Sequence, residues 1–209
     1  MTSVARSNMP MDLARILPGL VSPVADSQRA FRATLQAMSY PGRIVTPVAH
    51  QLPWPEQIPG AAVAILLALC DADTRLWCGQ RWRADNRMID SLRFHTGTTI
   101  VEAAAEADFA LHDGDQDAPL TAFSAGDDLD PQFGATLILV VDALDRGRPI
   151  RLSGPGLASP SQIRVSGPSD AFWRSRIALE PLFPRGIDLL LVQANAVMAI
   201  PRTTHLELA

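Results

Sequence analysis

The sequence predicts an α/β domain, a mixed β-sheet covered by helices on both faces. Three observations carry this. Segments with helical periodicity and cap signals alternate with short β-rich runs. The stretch Thr136-Leu-Ile-Leu-Val-Val141 is continuously apolar and β-branched, as a strand buried on both faces requires. Hydrophobic residues make up 47% of the 209, enough for a real core at this length.

Taken in order, residues 1–23 carry Pro10, Pro18 and Pro23 without periodicity and read as an irregular arm ahead of a single domain over 24–209. Asp26 is placed to cap a helix running to Met38, with Phe31, Leu35 and Met38 on one face and Arg29, Arg32 and Gln36 on others. Ser39-Tyr-Pro-Gly42 stops it. A strand over 43–48 and a connection with Pro53, Pro55 and Pro59 follow. Ala61–Cys70 is apolar on nearly all sides and reads as a core helix. Strands are expected at 75–78 and 109–112, with a helix between them capped by Asp85 and ending near Phe94. The buried strand 135–144 is expected to pair with 148–152 through a turn at Asp145-Arg-Gly147. Ser169 or Asp170 starts a helix to Leu182, and 187–193 and 197–200 form a hairpin through Ala194-Asn-Ala196.

Composition then excludes chemistry. All 18 basic residues are arginine, so the chain holds no lysine for a Schiff base or a Walker A loop. Pyridoxal phosphate chemistry and P-loop nucleotide hydrolysis are thereby out of reach, and no cofactor is expected. Arginine still offers a planar fork for phosphate or carboxylate. The net charge is −4, which argues against a general nucleic-acid binder. Charge is uneven: residues 102–145 hold eleven acids and no arginine, a candidate docking or solvated stretch. Cys70 and Cys78 form no CxxC pair or metal-ligand cluster and read as buried thiols. The apolar stretch 16–21 is broken by Pro18 and Gly19, and 61–70 is about half of the ~20 residues a membrane helix needs. A soluble, cytoplasmic protein without a membrane partner is expected.

Five constellations invite a chemical reading. Asp113-Gly-Asp115-Gln-Asp117 opens like a calcium loop, but Ala118 and Ser124 stand where glycine and glutamate are required. No metal site is expected. Ala122-Phe-Ser124-Ala-Gly126 approximates a nucleophile elbow, with Asp188 and His205 following in hydrolase order, yet no buried strand precedes Ser124 and no helix follows it. Arg151-Leu-Ser-Gly-Pro-Gly156 reads as a rigid turn, because Pro155 supplies no backbone donor to an anion. Ser91-Leu-Arg93-Phe-His95-Thr96 and Pro201-Arg202-Thr203-Thr204-His205 are the strongest, each joining an arginine, a histidine and hydroxyls. In a functional site Arg93, Arg202, Thr203 and Thr204 would contact phosphoryl oxygens, with His95 or His205 as proton donor. In the structural alternative each arginine pairs with a local carboxylate, such as Asp90, and each histidine satisfies a backbone carbonyl.

Those segments also carry a resemblance. Phe31-Arg-x-x-Leu-x-Ala-Met-Ser-x-Pro-Gly42, Ser91–Thr96, Gly134-Ala-Thr-Leu-Ile-Leu139, Arg151–Gly156, Phe183-Pro-Arg-Gly-Ile-Asp188 and Ile200–His205 together resemble the PhnH family. This is the H subunit of the bacterial carbon–phosphorus lyase system for phosphonate breakdown. The resemblance implies a three-layer sandwich similar to the large domain of type I pyridoxal-phosphate transferases, without their cofactor. It implies a homodimer, and assembly with the G, I and J subunits. It further implies a part in replacing the adenine of MgATP by a phosphonate, alongside G, I and L, to give ribose 1-phosphonate 5-triphosphate. The radical, iron–sulfur lyase step belongs to J, and no thiol cluster here would hold such a centre. Whether this chain contributes catalytic residues or only scaffolding stays open at this level.

Overall fold

The computed structural model describes residues 13–47, 52–55, 57–114 and 118–208. Five helices and ten strands follow in chain order: α1 (Pro23–Ser39), β1 (Ile44–Val45), α2 (Gly60–Leu69), β2 (Arg75–Cys78), α3 (Gln80–Arg83), α4 (Asn86–Thr96), β3 (Thr99–Val101), β4 (Phe109–His112), β5 (Thr136–Val140), β6 (Ala143–Ser153), β7 (Ser161–Ser166), α5 (Asp170–Ala178), β8 (Asp188–Gln193), β9 (Ala196–Ile200) and β10 (His205–Leu208). None of the described helices is long and apolar enough to cross a membrane.

Seven strands form one mixed sheet in the order β1-β9-β8-β5-β4-β2-β3. β8, β5, β4, β2 and β3 run parallel, while β9 returns antiparallel along β8 and pairs with the edge strand β1. A second, antiparallel sheet has the order β10-β6-β7. Alternation along β5 and β8 divides the core in two. Ile138, Leu190 and Val192 point to the side of α1, α2 and α4, whereas Leu137, Leu139, Leu189 and Leu191 meet Ile150, Leu152, Val165, Phe172 and Trp173. The chain is thus α/β with a mixed sheet as expected, but the small sheet and α5 together cover the second face.

Local signals account for most boundaries. Asp85 Oδ1 accepts the Met88 amide at 3.2 Å and opens α4, which Gly97 closes in the left-handed conformation. Ser169 Oγ accepts the amides of Ala171 and Phe172 at 3.1 and 3.3 Å and opens α5. Helix α5 stops at Ala178, short of the expected Leu182, and a 3₁₀ turn over Glu180–Leu182 follows at Pro181. Helix α1 begins at Pro23, three residues before the expected cap. Asp26 lies within its first turn and accepts the Ser22 amide at 2.9 Å.

Three expectations are corrected. Phe31 and Leu35 do not face the core: they are 52% and 54% exposed, and Ala30, Ala33, Thr34 and Ala37 are buried instead. The reason is packing. α1 lies on α2, whose own Ala61, Ala62 and Ala64 are fully buried, and small residues on both sides let the two helices approach. Second, 135–144 and 148–152 are not a hairpin. β5 ends at Val140, and β6 crosses into the small sheet, where Asp145–Gly147 lies within a bulge opposite β7. Gly147 has φ +97° there, and a Cβ would sit 2.6 Å from the Val165 carbonyl oxygen. Third, the strand expected over 43–48 is two residues long, and its last expected position lies outside the described residues. The early part of the expected arm and the last three residues of the calcium-like segment, 115–117, also lie outside them.

Candidate functional site

The hairpin β8–β9 places Pro201–His205 at one end of the sheet. Because β9 is antiparallel to the parallel set, its C-terminal end lies beside the start of β8. The segment therefore occupies the N-terminal edge of the parallel strands, opposite to where open α/β sheets bind ligands.

At this edge Arg202 is gripped by its own fold. Its backbone amide donates to Asp188 Oδ1 at 2.7 Å, and Nε and Nη2 donate to Asp188 Oδ2 at 3.0 and 2.6 Å. Nη1 donates to the Pro131 carbonyl and Nη2 reaches the Gly134 carbonyl at 3.3 Å. Both partners of the ion pair are largely buried. The local chain fits this: Gly134 and Gly186 stand against the Arg202 side chain, where a Cβ would come within 2.8 and 2.9 Å of it.

Around it, Thr204 is buried and its amide donates to the Pro201 carbonyl at 3.0 Å. Thr203 is half-buried, its carbonyl close against Gly154. The exposed His205 holds Nδ1 3.2 Å from Glu180 Oε2, while Glu180 Oε1 accepts the Leu206 amide at 2.8 Å. Arg176, which sequence reasoning did not single out, is buried and donates through Nη2 to the carbonyls of Pro201 and Thr204 at 2.9 and 3.3 Å. Burial pushes its guanidinium below the usual arginine range, against the opposing pull of Glu180 about 4.0 Å away.

The second expected segment lies elsewhere. His95 Nε2 is 2.7 Å from the Leu17 carbonyl, and Ser91 Oγ accepts the Leu17 amide at 2.9 Å. Arg87 Nε donates to the Arg15 carbonyl at 2.8 Å, so α4 carries the segment ahead of α1 along its side. Arg93 is half-exposed, 4.0 Å from Asp90. α4 leads into β3, the far edge of the sheet from β9. Four strands separate β9 from β3, so at ~4.8 Å per strand the two segments are on the order of 24 Å apart. They do not converge on one pocket.

Ser124, Asp188 and His205 do not form a triad. Ser124 Oγ accepts the Gly126 amide at 3.1 Å, Asp188 holds Arg202, and His205 faces Glu180. Asp113 pairs with Arg81 at 3.3 Å. Among the described residues no group of three or more His, Cys, Asp or Glu side chains is placed to hold a metal ion. A cleft of about 400 Å³ runs along α1, with Arg29, Arg32, Gln28, Gln36 and Thr46 as its polar lining. The geometry at Arg202 is that of a structural clamp, and the exposed members of the expected set are Arg93, His95 and His205.

Comparison with known proteins adds what the geometry leaves open. A protein 33% identical over 189 residues, 88% of this chain and 92% of its own, is the alpha-D-ribose 1-methylphosphonate 5-triphosphate synthase subunit PhnH of Rhizobium meliloti (strain 1021). Another, from Stutzerimonas stutzeri, carries the name "Putative C-P lyase subunit protein HtxG" and is 33% identical over 181 residues, 87% of this chain and 86% of its own. The model of the family described as bacterial phosphonate metabolism protein (PhnH) matches residues 18–207, from the segment held on α4 to the last strand, and the chain belongs to that family.

Proposed function

We propose that this chain is a subunit of a carbon–phosphorus lyase system, supporting the displacement of adenine from MgATP by an alkylphosphonate to give ribose 1-phosphonate 5-triphosphate. The observation that carries the reading is coverage. Both relatives whose names make them subunits of such systems align over nearly nine-tenths of this chain. The proposal includes a three-layer fold like that of the type I pyridoxal-phosphate transferases, a cytoplasmic homodimer, and assembly with G, I and J. The lysine-free sequence accords with a cofactor-free version of that fold.

Displacement at the ribose C1 needs the triphosphate and phosphonate charges neutralised, and an acid for the departing adenine. In the direct form of the proposal one of the two segments serves: Arg93 contacts a phosphoryl oxygen with His95 as proton donor, or Arg202, Thr203 and Thr204 supply the anion contacts with His205 as proton donor. A second reading, a purely structural assembly subunit, is favoured by one specific observation: the Nε, Nη1 and Nη2 atoms of Arg202 already donate to protein acceptors.

The test separates them. The wild-type chain, co-expressed with G, I, J and L, is expected to be required for adenine release from ATP and methylphosphonate. If Arg93→Ala and His205→Ala leave assembly intact and lower adenine release tenfold or more, the direct form stands. Unchanged release by an assembled double variant leaves the structural reading. Adenine release that does not depend on the chain at all refutes both.

A further inference from the structure

The clamp at Arg202 holds something specific. The loop Asp127–Phe133 is built to be rigid: Asp127 Oδ1 accepts the amides of Leu129 and Asp130 at 2.9 and 2.7 Å, and Arg202 binds the Pro131 and Gly134 carbonyls from beneath. Ala125 bridges Gly134 and also accepts the Gly186 amide at 2.8 Å, which seals the loop's base against the turn after Phe183. Arg185 reaches Asp128 at 3.1 Å across the same junction. Yet this ordered surface presents Leu129 at 90%, Phe133 at 63% and Phe183 at 62% exposure. Large apolar side chains exposed on two loops so joined mark an interaction site, since their solvation is costly. A loop ordered in advance also loses little entropy on binding.

We propose that Leu129, Phe133 and Phe183 form the face on which a different polypeptide docks, one presenting an apolar pocket rimmed by arginine or lysine. Charge selects this occupant. Asp127 and Asp128 are exposed beside Leu129, with Asp130 next to it, and Arg185 is the basic group paired there. A two-fold contact would set the same patch of a second copy against itself, carboxylates facing carboxylates, which is repulsive. A basic rim satisfies the acids while the pocket covers the three apolar side chains. The inference rests on the reading of the chain as a subunit of a larger assembly, and assigns a face to it.

The probe is the set of G, I and J subunits. Leu129→Ser/Phe133→Ser alters only exposed side chains, so the chain's circular dichroism and unfolding midpoint serve as controls. The double variant is expected to bind the co-expressed subunits at least tenfold more weakly, read by light scattering after gel filtration and by titration. Asp127→Asn/Asp128→Asn is expected to flatten the dependence of that binding on salt. Subunit binding by the serine variant equal to wild type overturns the docking face while leaving the subunit reading intact. A variant that loses self-association yet binds the subunits normally shows the occupant to be a second copy, for instance its basic α1 face, and also overturns it. A wild-type chain that joins none of these subunits removes the subunit reading and the docking face together.

Discussion

Arg202 and Asp188 meet across the open end of the β8–β9 hairpin through one backbone and two side-chain hydrogen bonds, all between 2.6 and 3.0 Å. The pair turns a hairpin end into a rigid bracket, because the same guanidinium also holds two carbonyls of the loop before β5.

Removing one member of a largely buried, hydrogen-bonded pair strands the other. Arg202→Ala is expected to destabilise the chain by about 3 kcal/mol in urea unfolding, with Arg202→Lys recovering less than half. An ammonium keeps the charge but cannot form the fork to Asp188 and still reach both carbonyls. A stability loss within error of zero would refute the bracket.

Acid sensitivity has an identifiable contributor. The Arg75 side chain and amide donate to Asp108 at 2.6 to 3.0 Å, tying the starts of β2 and β4 together and holding the Asp108 carboxyl below its usual value. A depressed carboxylate stabilises the fold above its unfolded value of about 3.9, and that contribution disappears as pH falls through the lower folded value. Asp108→Asn is therefore expected to lower the urea midpoint at pH 7 and to show a shallower decline below pH 4. The effect is modest because Arg75 is half-exposed. Parallel acid limbs for variant and wild type would contradict it.

Burial pushes the Cys70 thiol up to about 12, and Cys78 is buried as well. At pH 8 almost none of Cys70 is therefore thiolate, the reactive form. Iodoacetamide is expected to label native protein over many hours and urea-unfolded protein within minutes, with peptide mapping distinguishing the two cysteines. Rapid native labelling at Cys70 would be incompatible with its burial.

The β8–β9 turn carries the one described non-glycine residue at positive φ, Ala194 at +49°. Its carbonyl accepts the Ala61 amide at 3.0 Å and so receives the start of α2. Ala194→Gly relieves the Cβ strain and leaves that acceptor in place, and is expected to raise stability by about 0.5 to 1 kcal/mol by thermal unfolding. A lower midpoint would show that glycine's entropy in the unfolded chain outweighs the relief.

Much of the fold was legible because local chemistry decides it. Asp85 and Ser169 open their helices as their side chains dictate, and the strands expected at 75–78, 109–112 and 187–193 form there, the last starting at Asp188. The candidate site was less legible. Arg202 and His95 have the composition of an anion site in sequence, but their partners, Asp188, Pro131 and Leu17, arrive from distant parts of the chain. No local pattern announced Arg176, whose acceptors are carbonyls 25 and 28 residues away.

By itself the sequence determined the class of fold, the exclusion of lysine chemistry, and the motifs that place the chain among phosphonate-metabolism proteins. Those properties depend on residue identity and spacing alone. Tertiary structure decided which apolar residues are core and which are face. The same periodicity that paired Phe31 with Leu35 is satisfied with alanines inward once α2 offers a close surface, and Leu129 is left in solvent because its loop is pinned from below. Burial depends on what packs against a side chain, and the neighbours here come from segments the local pattern does not encode.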